Sequence, residues 1–262
     1  ESITSIVKKY YNGSKMDLKV YQVGNKYRDE MRVKGGLIRG KEFLMSDAYC
    51  FYHSEDDLVK IYKDVRNAYI NIFTKLGLKF EIVSSDSGEM GGNFSEEFRC
   101  LSSFGEDIGE DGNTYLEIGH IFNLGNRYSK SFDLVDNTKQ HVLMGCFGIG
   151  VSRLIMALLE QQRDEKGFKG TESFNTFDYI ISAVDYKNNF MIADEIYKSL
   201  KKKGYSVLLD DRETKAGKKF HDSELIAVYK RIIVNKNTAE TKTVEVLNRS
   251  NGVIENIHIE DL

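Results

Sequence analysis

Residues 18–51, LKVYQVGNKYRDEMRVKGGLIRGKEFLMSDAYCF, hold two apolar-rich runs around a loop, Met31 to Lys41. The loop carries four cations (Arg32, Lys34, Arg39, Lys41) and three glycines (Gly35, Gly36, Gly40). The β-branched and aromatic content of both runs, with a glycine-containing connection between them, predicts a long-looped β-hairpin. Arg28 and Glu30 are two apart, which on a strand sends both side chains to one face of the sheet. A guanidinium fixed on a sheet face beside a flexible cationic loop is a good receptor for a polyphosphate. Arg offers a planar fork to phosphate oxygens, and glycines let backbone amides approach closely. The same residues also read as a solvated hairpin tip carrying a surface ion pair.

Composition bounds the rest. At 262 residues the chain has room for one large domain or two smaller ones. Its 41% apolar and 29% charged residues are those of an ordinary globular protein able to build a core without disulfides. The formal charge of −3 gives no global attraction to nucleic acid, so any RNA contact must come from local patches. Cys50, Cys100 and Cys146 form neither zinc spacing nor a disulfide framework, which suits a reducing compartment. No apolar run is long enough to span a bilayer and no signal-peptide pattern opens the chain, so no membrane partner is expected.

Outward from the hairpin, Glu1 to Tyr11 reads as a helix with Ile3, Ile6, Val7 and Tyr10 on its apolar face, stopped by Asn12-Gly13. Ser54 caps a second helix whose stripe runs Leu58, Ile61, Tyr62, Val65, Tyr69, Ile72 and Phe73. Lys79 to Ser84 predicts a strand leading to the glycine-rich Asp86–Gly92. Further on, a strand runs into Met144-Gly145-Cys146-Phe147-Gly148-Ile149-Gly150 and then a helix with Val151, Leu154, Ile155, Leu158 and Leu159 on one face. Arg153 lies off that stripe, beside glycine-rich backbone near a helix N-terminus, where an anion can bind. A glycine-rich turn with a solvent-facing Arg is the competing reading. The Gly-x-Gly here lacks the third glycine and acidic residue of a dinucleotide fingerprint. After Gln162 strands at 179–184, 205–209 and 231–234 alternate with helices at 191–200 and 218–228, which predicts a small α/β unit. A closing hairpin turns at Asn251-Gly252. Between Lys201 and Arg231 nine cations face five acids, a surplus compatible with an RNA backbone.

Several separated segments, in order, resemble the class II aminoacyl-tRNA synthetases, and most closely the prolyl-tRNA synthetases of bacterial and mitochondrial type. Arg28-Asp29-Glu30, the basic loop, Arg39-Gly40-Lys41-Glu42-Phe43-Leu44-Met45 and Asp47-Ala48-Tyr49 look like motif 2. Met144 to Arg153 looks like motif 3. Glu117-Ile118-Gly119-His120-Ile121-Phe122-Asn123-Leu124-Gly125 resembles the strand lining the family's substrate site, although a lone strand histidine is more often structural. Leu208-Leu209-Asp210-Asp211-Arg212 and Gly217-Lys218-Lys219-Phe220 resemble the anticodon-binding domain, with Lys215-Ala216-Gly217 where the family has Arg-Pro-Gly. Glu96 stands where the family usually has His, which leaves a family-like contact there open.

The resemblance implies an α+β protein: an antiparallel class II sheet with flanking helices over 1–172, then a small α/β anticodon-binding domain over 173–262. It implies ATP-dependent activation of L-proline and transfer to tRNA(Pro), with ATP and Mg²⁺ as cofactors and no dedicated metal-ligating residues. Arg28 and Arg153 would be catalytic: Arg28 on the α-phosphate and amino-acid carboxylate, Arg153 on the far phosphate. Arg39 would close over ATP, Glu30 accept from the adenine amino group, Phe43 stack on the ring, and Glu117 lie near the nucleotide. Asp47, His120, Phe122 and Cys146 would border the proline pocket, and Arg212, Lys218 and Lys219 would contact tRNA.

The short acidic Gly105–Gly112 connection resembles family versions without the editing insertion. Motif 1, which builds a homodimer interface, and the Thr/Glu proline-binding loop normally precede the point where this sequence begins. The expected compartment is the cytoplasm, with a mitochondrial or other organellar form as the variant. Two alternatives stay open: a truncated synthetase-like subunit that binds RNA or a partner without activating proline, and a class II synthetase for another amino acid. Proline itself is absent, against roughly 13 for an average composition of this length. Selection or design for an enzyme whose synthesis does not consume its own product would explain this; so would compositional drift in a Lys/Asn-rich lineage.

Overall fold

The structure, a computed structural model, describes residues 1–11, 17–85, 90, 92 and 94–262. The expected helix stop at Asn12-Gly13 and most of the 86–93 glycine-rich segment lie outside the described residues. Contacts divide the chain into two compact units, Glu1–Leu158 and Leu159–Leu262.

The first unit runs α1 (Ser2–Tyr10), β1 (Asp17–Tyr27), β2 (Glu42–Tyr52), α2 (Glu55–Lys75), β3 (Glu81–Ser85), β4 (Phe94–Leu101), β5 (Asp107–Ile108), β6 (Thr114–Gly125), α3 (Arg127–Ser131), β7 (Leu143–Ile149) and α4 (Val151–Gln161). Among the described residues its strands form one sheet in the order β1-β2-β7-β6-β4-β3, with β5 added on β6. Every pairing is antiparallel. The hairpin register places Tyr27 opposite Glu42 and Gln22 opposite Asp47. β1 therefore ends at Tyr27, and Arg28 and Glu30 lie just past the strand rather than on it. The chain closes there through Arg28 N–H donating to the Lys41 carbonyl at 2.9 Å.

Period-2 alternation gives the sheet two different faces. One packs under α2, whose Leu58, Tyr62, Tyr69 and Phe73 are buried against it. Phe73 and Phe98 ring centres lie 5.5 Å apart, and Tyr69 completes the aromatic cluster, edge-on to Phe73 and tilted to Phe98. Gly119 makes this closeness workable, because a Cβ there would meet the Phe73 ring at 3.3 Å. The helix starts where expected: Ser54 Oγ accepts from Asp57 N–H at 3.1 Å, beneath an acidic first turn.

Two helix faces differ from the expected stripes. In α1, Thr4 and Val7 are buried while Ile6 and Tyr10 are 53% and 73% exposed. Thr4 Oγ1 donates to Met144 Sδ at 3.5 Å, so a small polar residue meets the core where the pattern pointed to Ile6. In α4 the buried set is Ser152, Leu154, Ala157 and Leu158. Ser152 turns inward because its Oγ accepts from Leu44 N–H at 2.9 Å, fastening the helix start to β2.

The second unit runs β8 (Tyr179–Ala183), α5 (Tyr186–Lys202), β9 (Val207–Asp210), α6 (Ala216–Glu224), β10 (Lys230–Val234), α7 (Thr238–Thr241), β11 (Thr243–Asn248) and β12 (Ile254–His258). Its sheet order is β12-β11-β10-β8-β9, with β8 parallel to both β9 and β10 and the C-terminal hairpin antiparallel. Ile181, Ala193, Ile196, Leu200 and Ile232 form its core. On α5 Met191 is 72% exposed, outside the face expected for it. α6 is shorter than expected and ends at Glu224. Glu224 anchors a buried ion cluster: Arg231 reaches its Oε1 at 2.9 Å, Arg249 its Oε2, and Arg249 also holds Asp164. The connecting residues join the same unit, as Phe168 N–H donates to the Glu224 carbonyl at 2.7 Å.

Candidate active site

The exposed face of the first sheet forms the floor of a cavity of about 370 Å³. Loop 28–41 and the start of α4 make its walls. All ten residues expected at the ATP and proline sites line it: Arg28, Glu30, Arg39, Phe43 and Arg153 on the walls and near floor, with Asp47, Glu117, His120, Phe122 and Cys146.

The three guanidinium groups are held differently. Arg28 is exposed and stacks its guanidinium 5.0 Å from the Phe43 ring centre. Arg39 is drawn between two carboxylates, with Nε 3.1 Å from Glu106 Oε2 and 3.9 Å from Glu30 Oε2. Arg153 is the most constrained. Its Nε donates to the Ile38 carbonyl at 3.0 Å, and its Nη1 to the Glu117 carbonyl at 3.1 Å and Oε2 at 3.3 Å. It is not the solvent-facing Arg of a bare turn, since it ties α4 to both loop 28–41 and β6.

Glu117 also engages His120, whose Nδ1 lies 3.1 Å from Oε1. Burial alone would push this carboxyl up. The His120 hydrogen bond and the Arg153 charge outweigh it and hold Glu117 below the ordinary carboxylate range. A carboxylate at Nδ1 selects the tautomer that donates from Nδ1 and leaves Nε2 as an acceptor. His120 Nε2 is buried with no hydrogen-bond partner among the described residues. The His120 and Phe122 rings stack with centres 3.9 Å apart, giving the cavity a flat wall.

Asp47 is 3% exposed and is held from the hairpin. Lys26 Nζ lies 2.7 Å from Oδ1, while Gln22 Nε2 and Tyr49 OH each donate to Oδ2 at 2.8 Å. Burial raises its pKa, but the Lys26, Gln22 and Tyr49 bonds more than compensate and hold it ionised below the usual range. Its charge is thus already paired with Lys26. The Cys146 thiol is pushed up to about 12 by burial and then by the Asp47 charge, so it is a packing group and not a thiolate nucleophile.

Sequence reading missed Lys26, Gln22, Tyr49, Glu106 and Glu97. Tyr49 was within reach, since it is two residues from Asp47 on one strand and must share its face. Gln22 needed the hairpin register, and Glu106 needed the contact between two connections distant in sequence. Glu97 sits opposite His120 in the β4–β6 register, with a buried Oε1 that has no hydrogen-bond partner among the described residues. Burial, then the charges of Glu117 and Asp107, push its carboxyl up to about 7. Glu96 points to the other face, where Arg66 Nε reaches both its oxygens at 3.0–3.1 Å.

In the second unit the three RNA-contact candidates divide. Lys218 is exposed on α6, 3.8 Å from Asp222. Arg212 is half exposed but bridges Asp210 and Asp222, both at 2.7 Å. Lys219 corrects the expectation: it is 1% exposed, and its ammonium donates to the carbonyls of Ala183 at 2.9 Å and Asp210 at 2.8 Å. It closes the carboxyl ends of β8 and β9 and cannot touch RNA without the unit opening.

Comparison with known proteins agrees in both parts. Residues 1–162 match the tRNA synthetase class II core domain (G, H, P, S and T), and residues 179–262 match the anticodon binding domain. Over 275 residues the chain is 34% identical to a Schizosaccharomyces pombe protein named "Probable proline–tRNA ligase, mitochondrial", covering 90% of this chain and 64% of that one. It is 32% identical to the proline–tRNA ligase of Rickettsia africae, covering 93% of this chain and 68% of the relative. Among solved structures, prolyl-tRNA synthetase from Cryptosporidium parvum complexed with L-proline and AMP superposes with a TM-score of 0.85 at 21% identity. That match covers 99% of this chain and 57% of the other. The Giardia lamblia prolyl-tRNA synthetase in complex with prolyl-adenylate gives 0.82 at 23% identity, covering 99% and 55%. The chain thus spans between about half and two thirds of the length of these proteins. On the core match and the curated relatives together, the chain belongs to the proline–tRNA ligase family of class II tRNA synthetases.

Proposed function

We propose that the chain activates L-proline with ATP to prolyl-adenylate and transfers the prolyl group to tRNA(Pro). The observation that best supports this is the convergence of Arg28, Arg39 and Arg153 on one cavity that also contains His120 and Phe122. Relatives 32–34% identical carry that activity in their names. In this reading residues 1–172 perform the chemistry and 173–262 bind the anticodon, and the complete protein is a homodimer of the cytoplasm or an organelle.

Activation is in-line attack by a proline carboxylate oxygen on the α-phosphorus, forming an O–P bond as the bond to pyrophosphate breaks. The nucleophile is already anionic at neutral pH, so no general base is required, and Cys146 offers no competing thiolate. The work is orientation and charge stabilisation. Arg28, exposed and stacked on Phe43, would bring the α-phosphate and carboxylate together. Arg153, fixed by three hydrogen bonds, and Arg39 hold the distal phosphates. Glu30 accepts from the adenine amino group as Phe43 covers the ring, with Glu117 beside the nucleotide. The His120–Phe122 wall flanks the pyrrolidine, and the bare Nε2 of His120 can accept from its ammonium. Asp47 contributes the shape and field of a Lys26-paired carboxylate, and Cys146 fills the floor.

Among the described residues no group of three or more His, Cys, Asp or Glu could hold a metal. Mg²⁺ would therefore enter with ATP, bound chiefly by phosphate oxygens as its hardness favours, and would neutralise part of their charge. Transfer then moves the acyl carbon from AMP to a terminal hydroxyl of tRNA(Pro), whose anticodon stem would meet Arg212 and Lys218.

The test is ATP–pyrophosphate exchange with a panel of amino acids. Proline alone should drive exchange. Exchange driven better by another amino acid would reassign the substrate, and ATP binding without exchange for any would leave a nucleotide-binding subunit.

A further inference from the structure

We propose that Glu106, on the connection between β4 and β6, is a positioning residue for the phosphate clamp, holding Arg39 in the orientation that receives ATP. The proposal rests on reading the cavity as an ATP site.

Glu106 is placed by backbone structure rather than by chance. Its N–H donates to the Tyr115 carbonyl at 3.0 Å, and the next residue, Asp107, pairs with Tyr115 as β5 joins β6. Gly105 lies so close to β6 that a Cβ would stand 2.4 Å from the Tyr115 carbonyl oxygen, so this connection is seated tightly on the sheet. From that seat Glu106 extends to Arg39, with Oε2 3.1 Å from Nε. A second tie runs alongside, Lys34 Nζ donating to the Gly105 carbonyl at 3.4 Å. The cationic loop is thereby fastened at two points to a connection about seventy residues away in sequence.

The side of the guanidinium that is used decides the consequence. Glu106 makes its ion-pair contact at Nε, without hydrogen-bond geometry, whereas the fork that binds two phosphate oxygens at once is the Nη pair. A carboxylate held beside Nε biases the orientation of the group by charge. Arg39 keeps 36% of its side-chain surface exposed, and its other carboxylate neighbour, Glu30, stands farther off at 3.9 Å, so Glu106 is the nearer restraint on the group. The opposite role, an inhibitory contact that ATP must break, predicts the opposite sign on removal.

The experiment uses the whole chain with Glu106→Gln, Glu106→Asp, Arg39→Ala and the Arg39→Ala/Glu106→Gln double variant. In ATP–pyrophosphate exchange, Glu106→Gln should raise KM for ATP roughly tenfold, as expected for losing one charge-assisted orientation. KM for proline should stay within about twofold. Glu106→Asp should restore part of the loss. In the Arg39→Ala background Glu106→Gln should add nothing further, because there is no guanidinium left to orient. An unchanged or lowered ATP KM overturns the proposal, as does an undiminished effect without Arg39. If the unaltered chain shows no exchange, the activation reading has failed, and Glu106 is judged by equilibrium binding of ATP alone. Weaker binding in Glu106→Gln then supports the proposal; equal binding, or no ATP binding by the parent chain, overturns it.

Discussion

Arg153 and Glu117 are joined twice: Nη1 of the arginine donates to both the backbone carbonyl and Oε2 of the glutamate, at 3.1 and 3.3 Å. The other oxygen of that carboxylate holds His120 Nδ1. One side chain therefore orients both a guanidinium and an imidazole, which in the proposed function are the cation on the nucleotide side and the ring on the amino-acid side. Glu117→Gln separates these duties, because an amide has one acceptor oxygen and cannot accept from both partners. KM for ATP or for proline, whichever partner loses the oxygen, should rise, with kcat/KM for exchange down by about 10²-fold. Unchanged kinetics for both substrates would show that the carboxylate is only structural.

Arg28 is the least anchored of the three guanidiniums, stacked on Phe43 at the end of β1. Being exposed, it contributes little to folding, and Arg28→Ala should change stability by no more than about 0.5 kcal/mol. Proline-dependent exchange should fall by about 10³-fold or more if it meets the α-phosphate in the transition state. The pairing of a normal melting curve with lost exchange is the expected result. Near-normal exchange removes Arg28 from the mechanism.

Lys218 and Lys219, adjacent in sequence, should behave as opposites. Lys218 is exposed, so Lys218→Ala should leave stability within about 0.5 kcal/mol and lower the salt slope of tRNA binding by about one. Lys219→Met removes the donor shared by the Ala183 and Asp210 carbonyls, at an expected cost of about 2–3 kcal/mol. Urea unfolding and filter binding over a salt series separate the two. A stable Lys219→Met protein with weakened tRNA binding would reverse the assignment.

The hairpin and the glycine-rich turn into α4 were legible from strong local patterns, while the β6 strand and the antiparallel sheet that joins them came from the family resemblance. The cavity residues were named through the family resemblance, whose matching segments lie on β2, β6 and β7, on the loop after β1 and at the start of α4. What escaped depends on contacts between distant segments. Asp47 is answered by Lys26 across a hairpin whose register the sequence does not print. Lys219 looked like a surface cation beside Lys218 until the ends of two parallel strands closed around it. In α1 the amphipathic stripe favoured Ile6 over Thr4, yet packing on Met144 selected the threonine face.

Glu97 makes the pH dependence of stability specific. Its folded-state pKa of about 7 is above the ordinary carboxylate value, so between those values the folded chain binds a proton that the unfolded chain has released. The sign follows: this group's contribution is fully present at acid pH and is lost as pH rises toward 7 and past it. Glu97→Gln, neutral at every pH, should be more stable than the parent at pH 8 by roughly 1–3 kcal/mol and close to it at pH 4.5. Melting temperatures at the two pH values check this. A difference that is the same at both would show that the carboxyl is not proton-linked to folding.

Ala216 bears on the absence of proline from the chain. It is the first residue of α6, a position whose N–H has no acceptor within the helix and where the fixed φ of proline is already suited. The preceding Lys215, at φ −62° and ψ 140°, has the extended conformation that a following proline requires. Nothing in the local backbone opposes the ring, so Ala216→Pro should stabilise by about 0.4–1 kcal/mol through the unfolded state alone. The corresponding gain in melting temperature is about 1–3 °C. That gain would mean that proline is missing here for a reason outside the fold. A fall in melting temperature would mean instead that the α6 entry has been rebuilt around a residue other than proline.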